Sequence, residues 1–292
     1  MSLEIKRVTS RRDMKRFIKL PLRLYKNNPY YVPALTFDEI NTFNPAKNPA
    51  FDFCEADCFI AIRDGEVVGR IAAILNKDVN KYWKQNHARF GWFDVIDDIE
   101  VSRALIEAVE QWAKDKGMTA IKGPLGFCDL DHEGMLIHGF DQVGTFATIY
   151  NYDYYPKHLE QLGFSKDVDW KEFLIEIPTE LPDRYTRIGD ILAKKYDLRM
   201  ATLTSNKQLV KQYGQKLFQL WNETYNVLYG FAPLTDRQVT YYIKLYLSLI
   251  RLDLISLIVD KNDDIIGFGI SIPSLTEAFQ KAKGRLFPFG FI

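Results

Sequence analysis

Two stretches of the chain concentrate side chains that can hold an amine or move its proton. Residues 123–134 read Gly-Pro-Leu-Gly-Phe-Cys-Asp-Leu-Asp-His-Glu-Gly, which brings Asp129, Asp131, His132 and Glu133 close together in sequence. A carboxylate or imidazole beside an amine fixes it as an ammonium or takes its proton. Residues 150–155 read Tyr-Asn-Tyr-Asp-Tyr-Tyr. Tyrosines give a pocket apolar walls with hydroxyl tips. Glu133, His132 and Tyr155 are the candidate catalytic groups, and Asp129, Asp131, Asn151, Tyr152 and Tyr154 the candidate substrate contacts. Each stretch also has a plainer reading, as a solvated glycine-bearing turn and as tyrosines that pack or sit at the surface. The loop is too polar for a core, and the tyrosines are too close together to all point inward. An acceptor pocket between the two stretches is the expectation. Asp131, His132 and Glu133 are neighbours that would not face one ion, so no metal is expected.

These stretches must be positioned by an α/β frame. Residues 3–8 read as a strand, and Ser10 can cap a helix over 11–25 that Pro21 should kink or interrupt. Prolines 29, 33, 45 and 49 mark loop with short helical turns. Two apolar runs, 58–62 and 67–74, flank Asp64-Gly65, a strong hairpin signal. A strand at 90–95 follows, then a long amphipathic helix from Asp97-Asp98 to a stop at Gly117. Strands are expected from Ala120-Ile121 to an end at Gly123-Pro124, at 145–150 and at 170–177, and a short helix at 155–162. The candidate loop and the tyrosine run thus flank central strands, where open α/β sheets bind ligands.

The pattern then restarts. Residues 199–203 read as a strand, Ser205 as a cap, 207–229 and 236–250 as helices, and 254–259 with 264–270 as a second hairpin. Ser10 and Ser205, and the hairpin glycines Gly69 and Gly267, recur at nearly the same offset, the mark of an internal repeat. The expected organisation is a first domain at 1–178, a connecting helix at 179–197, and the N-terminal part of a second domain at 198–292.

Composition excludes several classes. The chain has 292 residues with 38 Lys plus Arg against 38 Asp plus Glu, and no basic excess to suit nucleic acid. Cys54, Cys58 and Cys128 make neither a disulfide framework nor a zinc set. No apolar run reaches the ~18 residues of a membrane span. The N-terminus lacks the apolar core of a signal peptide. The expectation is a cytoplasmic protein without a membrane or nucleic-acid partner.

The order strand, helix, hairpin, strand, long helix, strand, short helix resembles the GNAT superfamily of acyl-CoA-dependent N-acyltransferases. The residues that carry the resemblance are 62–69 (Ile-Arg-Asp-Gly-Glu-Val-Val-Gly), the strand-to-helix step over 90–112, and 155–164, which ends in Gly163-Phe164. The resemblance covers about residues 3–177, with a partial second copy from about 198. It implies a mixed central sheet flanked by helices, two tandem copies with the second incomplete. It also implies acetyl-CoA or another acyl-CoA as donor, and a small-molecule or peptide amine as acceptor.

Two departures bear on this. The family holds the CoA pyrophosphate on a glycine-rich loop before the long helix, where bare N–H groups and the helix dipole favour an anion. Here that stretch carries Asp94, Asp97, Asp98 and Glu100 and no glycine, so the first copy is not expected to bind CoA there. The family's late helix carries a tyrosine four residues before its glycine, and an asparagine further back. Counting from Gly163 puts Leu159 at the first position and Tyr152 at the second, so the catalytic tyrosine does not carry over. The resemblance further implies that a strand, a CoA loop and a helix should follow Ile292, which points to a truncated chain. A non-catalytic GNAT-like binding or structural protein is the alternative, and an aminoacyl or lipid acyl transferase a third reading.

Overall fold

The computed structural model describes residues 2–247 and 250–286. Two compact units emerge, one of residues 1–168 with 274–292, the other of residues 169–273.

The first unit is a five-stranded mixed sheet: β1 (Leu3–Arg7), β2 (Cys54–Arg63), β3 (Glu66–Asn76), β4 (His87–Val95) and β5 (Ala120–Lys122), in the order β1-β2-β3-β4-β5. Neighbours are antiparallel except β4 and β5, which run parallel. The helices are α1 (Arg11–Leu24), α2 (Thr36–Thr42), α3 (Lys77–Trp83), α4 (Ile99–Asp115) and α5 (Tyr154–Gln161). β3 is buried on both faces because each face has a helix to cover it. Ile71, Ala73 and Leu75 share a core with Val101, Leu105 and Val109 of α4. Ala72 and Ile74 share the other core with Phe17, Ile18 and Leu20 of α1. Gly69 lets α4 approach, since a Cβ there would lie 2.8 Å from Leu105 Cδ1 and 2.9 Å from Val101 Cγ1.

Asp64 and Gly65 turn the β2–β3 hairpin with positive φ, 51° and 82°, as a two-residue turn matched to strand twist requires. Ser10 caps α1 by accepting from Asp13 N at 3.1 Å. Pro21 does not interrupt α1, which runs to Leu24. Proline removes the N–H that would bond the Phe17 carbonyl. Arg70 Nη1 supplies that bond instead, at 3.2 Å.

The second unit carries α6 (Asp183–Tyr196), β6 (Arg199–Met200), α7 (Asn206–Gln208), α8 (Gly214–Tyr225), α9 (Asp236–Tyr242), β7 (Ile255–Val259) and β8 (Ile265–Ile270). Its sheet has the order β6-β7-β8, all antiparallel. The order strand, capped helix, hairpin that opens the first unit recurs here. Ser205 caps α7 by accepting from Gln208 N, as Ser10 does for α1. In one hairpin the register shifts after the pair Ala61–Gly69, in the other after Ile258–Gly267. The expected helix over 207–229 instead passes through a π-helical stretch, Leu209–Tyr213, before α8. A last helix, α10 (Thr276–Ala282), belongs to the first unit.

Two expected strands are absent among the described residues. Residues 145–150 form a turn, and residues 170–177 carry no regular secondary structure, with Leu174 96% exposed. Strand propensity is realised only when a neighbouring strand and a packed face are present. The terminal run after Leu286 lies outside the described residues.

Candidate functional site

The parallel edge of the sheet organises the site. β4 and β5 stay in register only over His87–Ala120, Ala88–Ile121 and Arg89–Lys122. The chain leaving β5 keeps close to β4: Leu125 N donates to Phe90 O at 2.7 Å, and a Cβ on Gly91 would lie 2.6 Å from Leu125 O. Opposite, the β3–β4 ladder slips between Arg70 and Ala72, which places Trp92 and Phe93 in a bulge. Trp92 has φ 47°, a left-handed conformation that a bulky side chain adopts only under constraint.

Beside this bulge opens a cleft of about 850 Å³ of unfilled space, part of it open to solvent. Its floor is polar and buried. Arg70 Nε donates to Asp94 Oδ2 at 2.7 Å, and Arg70 Nη1 lies 3.7 Å from Glu39 Oε2. Trp92 Nε1 donates to Glu39 Oε2 at 2.9 Å. The Tyr25 and Tyr155 hydroxyls lie 2.8 Å apart and reach Asp94 Oδ1 at 3.1 and 3.4 Å. Val95 N donates to the Tyr155 hydroxyl at 3.0 Å. Burial, reinforced by the Asp94 charge, pushes both phenols well above their ordinary range, so they remain protonated. Tyr31 stacks on Tyr25 with centroids 4.4 Å apart. One guanidinium thus faces two carboxylates among neutral phenols.

The loop at 123–134 and the tyrosine run both reach this cleft, but with few of the expected side chains. Pro124, His132 and Gly134 line it from one segment, Tyr150, Asn151 and Tyr155 from the other. Tyr155 is only 1% exposed and belongs to the core as well as to the cleft floor. Asn151 uses its amide on backbone: Oδ1 accepts from Leu136 N at 2.7 Å, and Nδ2 donates to Leu136 O at 3.1 Å. It braces one wall. His132 Nε2 lies 3.2 Å from Phe146 O.

Asp129, Asp131, Glu133, Tyr152 and Tyr154 are not among the lining residues. Asp131 Oδ2 accepts from Phe127 N and Cys128 N at 2.8 and 3.2 Å and closes the turn. Glu133 Oε1 is buried with no hydrogen-bond partner. Burial raises its carboxyl to about 7, with Asp129 adding to the shift. Burial likewise raises Asp129 and Asp131 to about 6. Tyr152 donates to Leu24 O at 3.2 Å and Tyr154 to Val95 O at 2.7 Å.

Sequence reasoning missed Arg70, Glu39 and Trp92. Arg70 left a signal, a lone charge inside the apolar run 67–74. A buried arginine must find carboxylates, so it marks where they gather.

The start of α4 does not fit a diphosphate. Asp98 caps the helix by accepting from Glu100 N at 2.9 Å, and Arg63 Nη1 donates to its Oδ2 at 2.6 Å. The Arg63 bond holds Asp98 below the usual carboxylate range, hence charged. Asp97 Oδ1 lies 3.2 Å from His158 Nε2, whose Nδ1 meets Ser102 Oγ at 2.8 Å. Side chains of the protein already take the place an anion would occupy. Among the described residues no group of three His, Cys, Asp or Glu is placed to hold a metal ion, and no helix is long and apolar enough to cross a membrane.

No protein-family profile matches the chain. It is 30% identical over 284 residues to protein YghO of Escherichia coli strain K12, a match over 97% of this chain and 71% of that protein. It is 27% identical over 281 residues to the bacterial ceramide synthase of Caulobacter vibrioides, over 96% of this chain and 72% of that protein. Among solved structures, a tandem GNAT protein from the clavulanic acid biosynthesis pathway aligns at 14% identity with a TM-score of 0.49, over 91% of this chain and 73% of that one. The ribosomal-protein-alanine N-acetyltransferase of Brucella melitensis aligns at 14% identity with a TM-score of 0.33, over 61% of this chain and 100% of that one.

Proposed function

The chain belongs to the same family as Escherichia coli YghO, on a GNAT-type mixed sheet, and from that premise we propose that it is an N-acyltransferase whose acceptor amine sits in the cleft of the first unit. The observation that carries this reading is the cleft floor, where Arg70 meets both Asp94 and Glu39. One cation against two carboxylates leaves a negative charge that an ammonium group neutralises. Tyr31, Trp92 and Phe93 give the floor apolar walls, which suits an amine with an apolar body. The relative named bacterial ceramide synthase supports a lipid-like amine as that body.

In this reading the protein's own groups bind, orient and deprotonate. Asp94 is tied to Arg70 and two phenols, so it sets the field of the floor rather than moving. Glu39 is less encumbered and takes one proton from the bound ammonium, which frees the nitrogen lone pair to attack the thioester carbonyl; the carbon–sulfur bond then breaks, and the thiolate leaves as a thiol with the second proton that the nitrogen sheds. The phenol of Tyr155 marks the polar end of the floor. His132 and Asn151 stand at the wall, which Glu133, Asp129, Asp131, Tyr152 and Tyr154 do not line. The donor we propose is an acyl thioester such as acyl-CoA, without a seat for its diphosphate at the start of α4.

The occupied start of α4 also favours a second reading, a GNAT-like protein that binds an amine without transferring an acyl group. One assay separates the two. The full chain is incubated with sphinganine or dodecylamine and with acetyl-CoA or palmitoyl-CoA, and products are read by mass spectrometry alongside free thiol. An N-acyl amine with stoichiometric thiol supports the transferase. Amine binding without product supports the binding protein, and no amine binding at all overturns both.

A further inference from the structure

The chain leaving β8 re-enters the first unit as α10, and there it meets the two irregular segments that form the cleft walls. On one side Gln280 Nε2 donates to Pro29 O at 2.9 Å and to Tyr31 O at 3.2 Å. Thr36 N donates to Gly284 O at 3.0 Å. Gly284 has φ +74°, and a Cβ there would lie 3.1 Å from Leu22 Cδ1 and 3.2 Å from Ala34 O, so the close approach needs glycine. On the other side Thr276 Oγ1 donates to Gly144 O at 3.2 Å, and the Phe279 ring packs on Phe146 with centroids 5.6 Å apart. Tyr31, Ala34 and Gly144 all line the cleft.

Irregular segments have no ladder of their own, so their carbonyls need partners from elsewhere. α10 supplies them to both walls at once. The segment at 29–36 carries the Tyr31 ring that stacks on Tyr25, and Tyr25 in turn bonds Asp94. A shift of this segment moves the aromatic wall relative to the charged floor.

We propose that α10 is a strap that sets the spacing of the cleft walls, with Gln280 as its positioning residue. Gln280 bonds two wall carbonyls and does not line the cleft, so it acts through Tyr31. The consequence for amine binding rests on the reading of the cleft as the acceptor site. The strap itself does not.

The test uses the full chain with two readouts: amide hydrogen exchange over 29–36 without amine, and calorimetric titration with dodecylamine. Gln280→Glu keeps the shape but loses both donors, and Gln280→Ala loses the side chain. Both are expected to speed exchange over 29–36. Both should weaken dodecylamine roughly five- to tenfold, the scale of one lost hydrogen-bonding group, with melting temperature nearly unchanged. Glu39→Gln separates the two ideas. If Glu39→Gln weakens the amine while both Gln280 variants leave exchange and binding as in the wild type, the strap is wrong and the acceptor cleft stands. If Gln280 variants speed exchange but neither they nor Glu39→Gln alter binding, the strap stands and the acceptor reading falls. Unchanged exchange in both Gln280 variants overturns the strap whatever the amine does.

Discussion

Arg70 Nε donates to Asp94 Oδ2 at 2.7 Å across the β3–β4 ladder, where the two residues are register partners. The same guanidinium closes the carbonyl of Phe17 that Pro21 leaves open. One side chain therefore joins the helix on one face of the sheet to the carboxylates of the cleft floor. Buried ion pairs gain little over apolar packing, but losing one partner strands the other charge.

Arg70→Met is accordingly expected to destabilise the protein by about 3–5 kcal/mol, because Asp94 is left buried and unpaired and Phe17 O loses its donor. Asp94→Asn should cost less, since the amide still accepts from Arg70. Chemical denaturation of both variants checks the order, and a smaller loss for Arg70→Met would contradict it.

Tyr155→Phe should cost about 1–3 kcal/mol, the penalty of leaving the buried Val95 N–H without an acceptor. Read from sequence alone, Tyr155 is a candidate catalytic group of the pocket and not a core residue. Thermal unfolding decides, and an unchanged melting temperature would return Tyr155 to that role.

Local chemistry was legible in the sequence where it acts over a few residues. Asp64-Gly65 turned as written, and Ser10 and Ser205 capped equivalent helices. The 123–134 loop and the tyrosine run do meet at one cleft, although the strand expected at 145–150 is a turn and β5 lies at the edge of its sheet. What sequence could not supply was partnership at long range. Glu39 sits in a proline-rich stretch and reaches the site only because α2 lies against the bulge at Trp92. Asp131 and Glu133, chosen for their chemistry, do not line this cleft, and the loop uses Asp131 to close its own turn. Residues 170–177 have the composition of a strand, yet no described strand lies alongside.

The start of α4 should refuse CoA. Desulfo-CoA at millimolar concentration is expected to leave the amide resonances of residues 97–101 unmoved, since Asp98 already accepts from Glu100 N at the helix start and the Asp97 and Asp98 carboxylates would repel a diphosphate. Asp98→Ala should lower stability by about 1 kcal/mol through loss of the cap. Saturable shifts centred on 97–101 in the wild type would refute the assignment.

Glu133 makes stability depend on pH. Burial raises its carboxyl from 4.5 to about 7 in the folded protein, and Asp129 and Asp131 move the same way, to about 6. Between these values the folded state binds more protons than the unfolded chain, so stability must fall as pH rises. The contribution is complete below the unfolded value and is lost as pH passes through the folded one. Stability measured by urea unfolding should therefore decline from about pH 5 to about pH 8. Glu133→Gln stays neutral throughout, so it should flatten the slope and unfold at higher urea than the wild type at the upper end. A binding role for Glu133 in the cleft would instead show as weaker amine binding in Glu133→Gln with the pH slope unchanged, and that result would place the carboxylate among the groups that line the cleft.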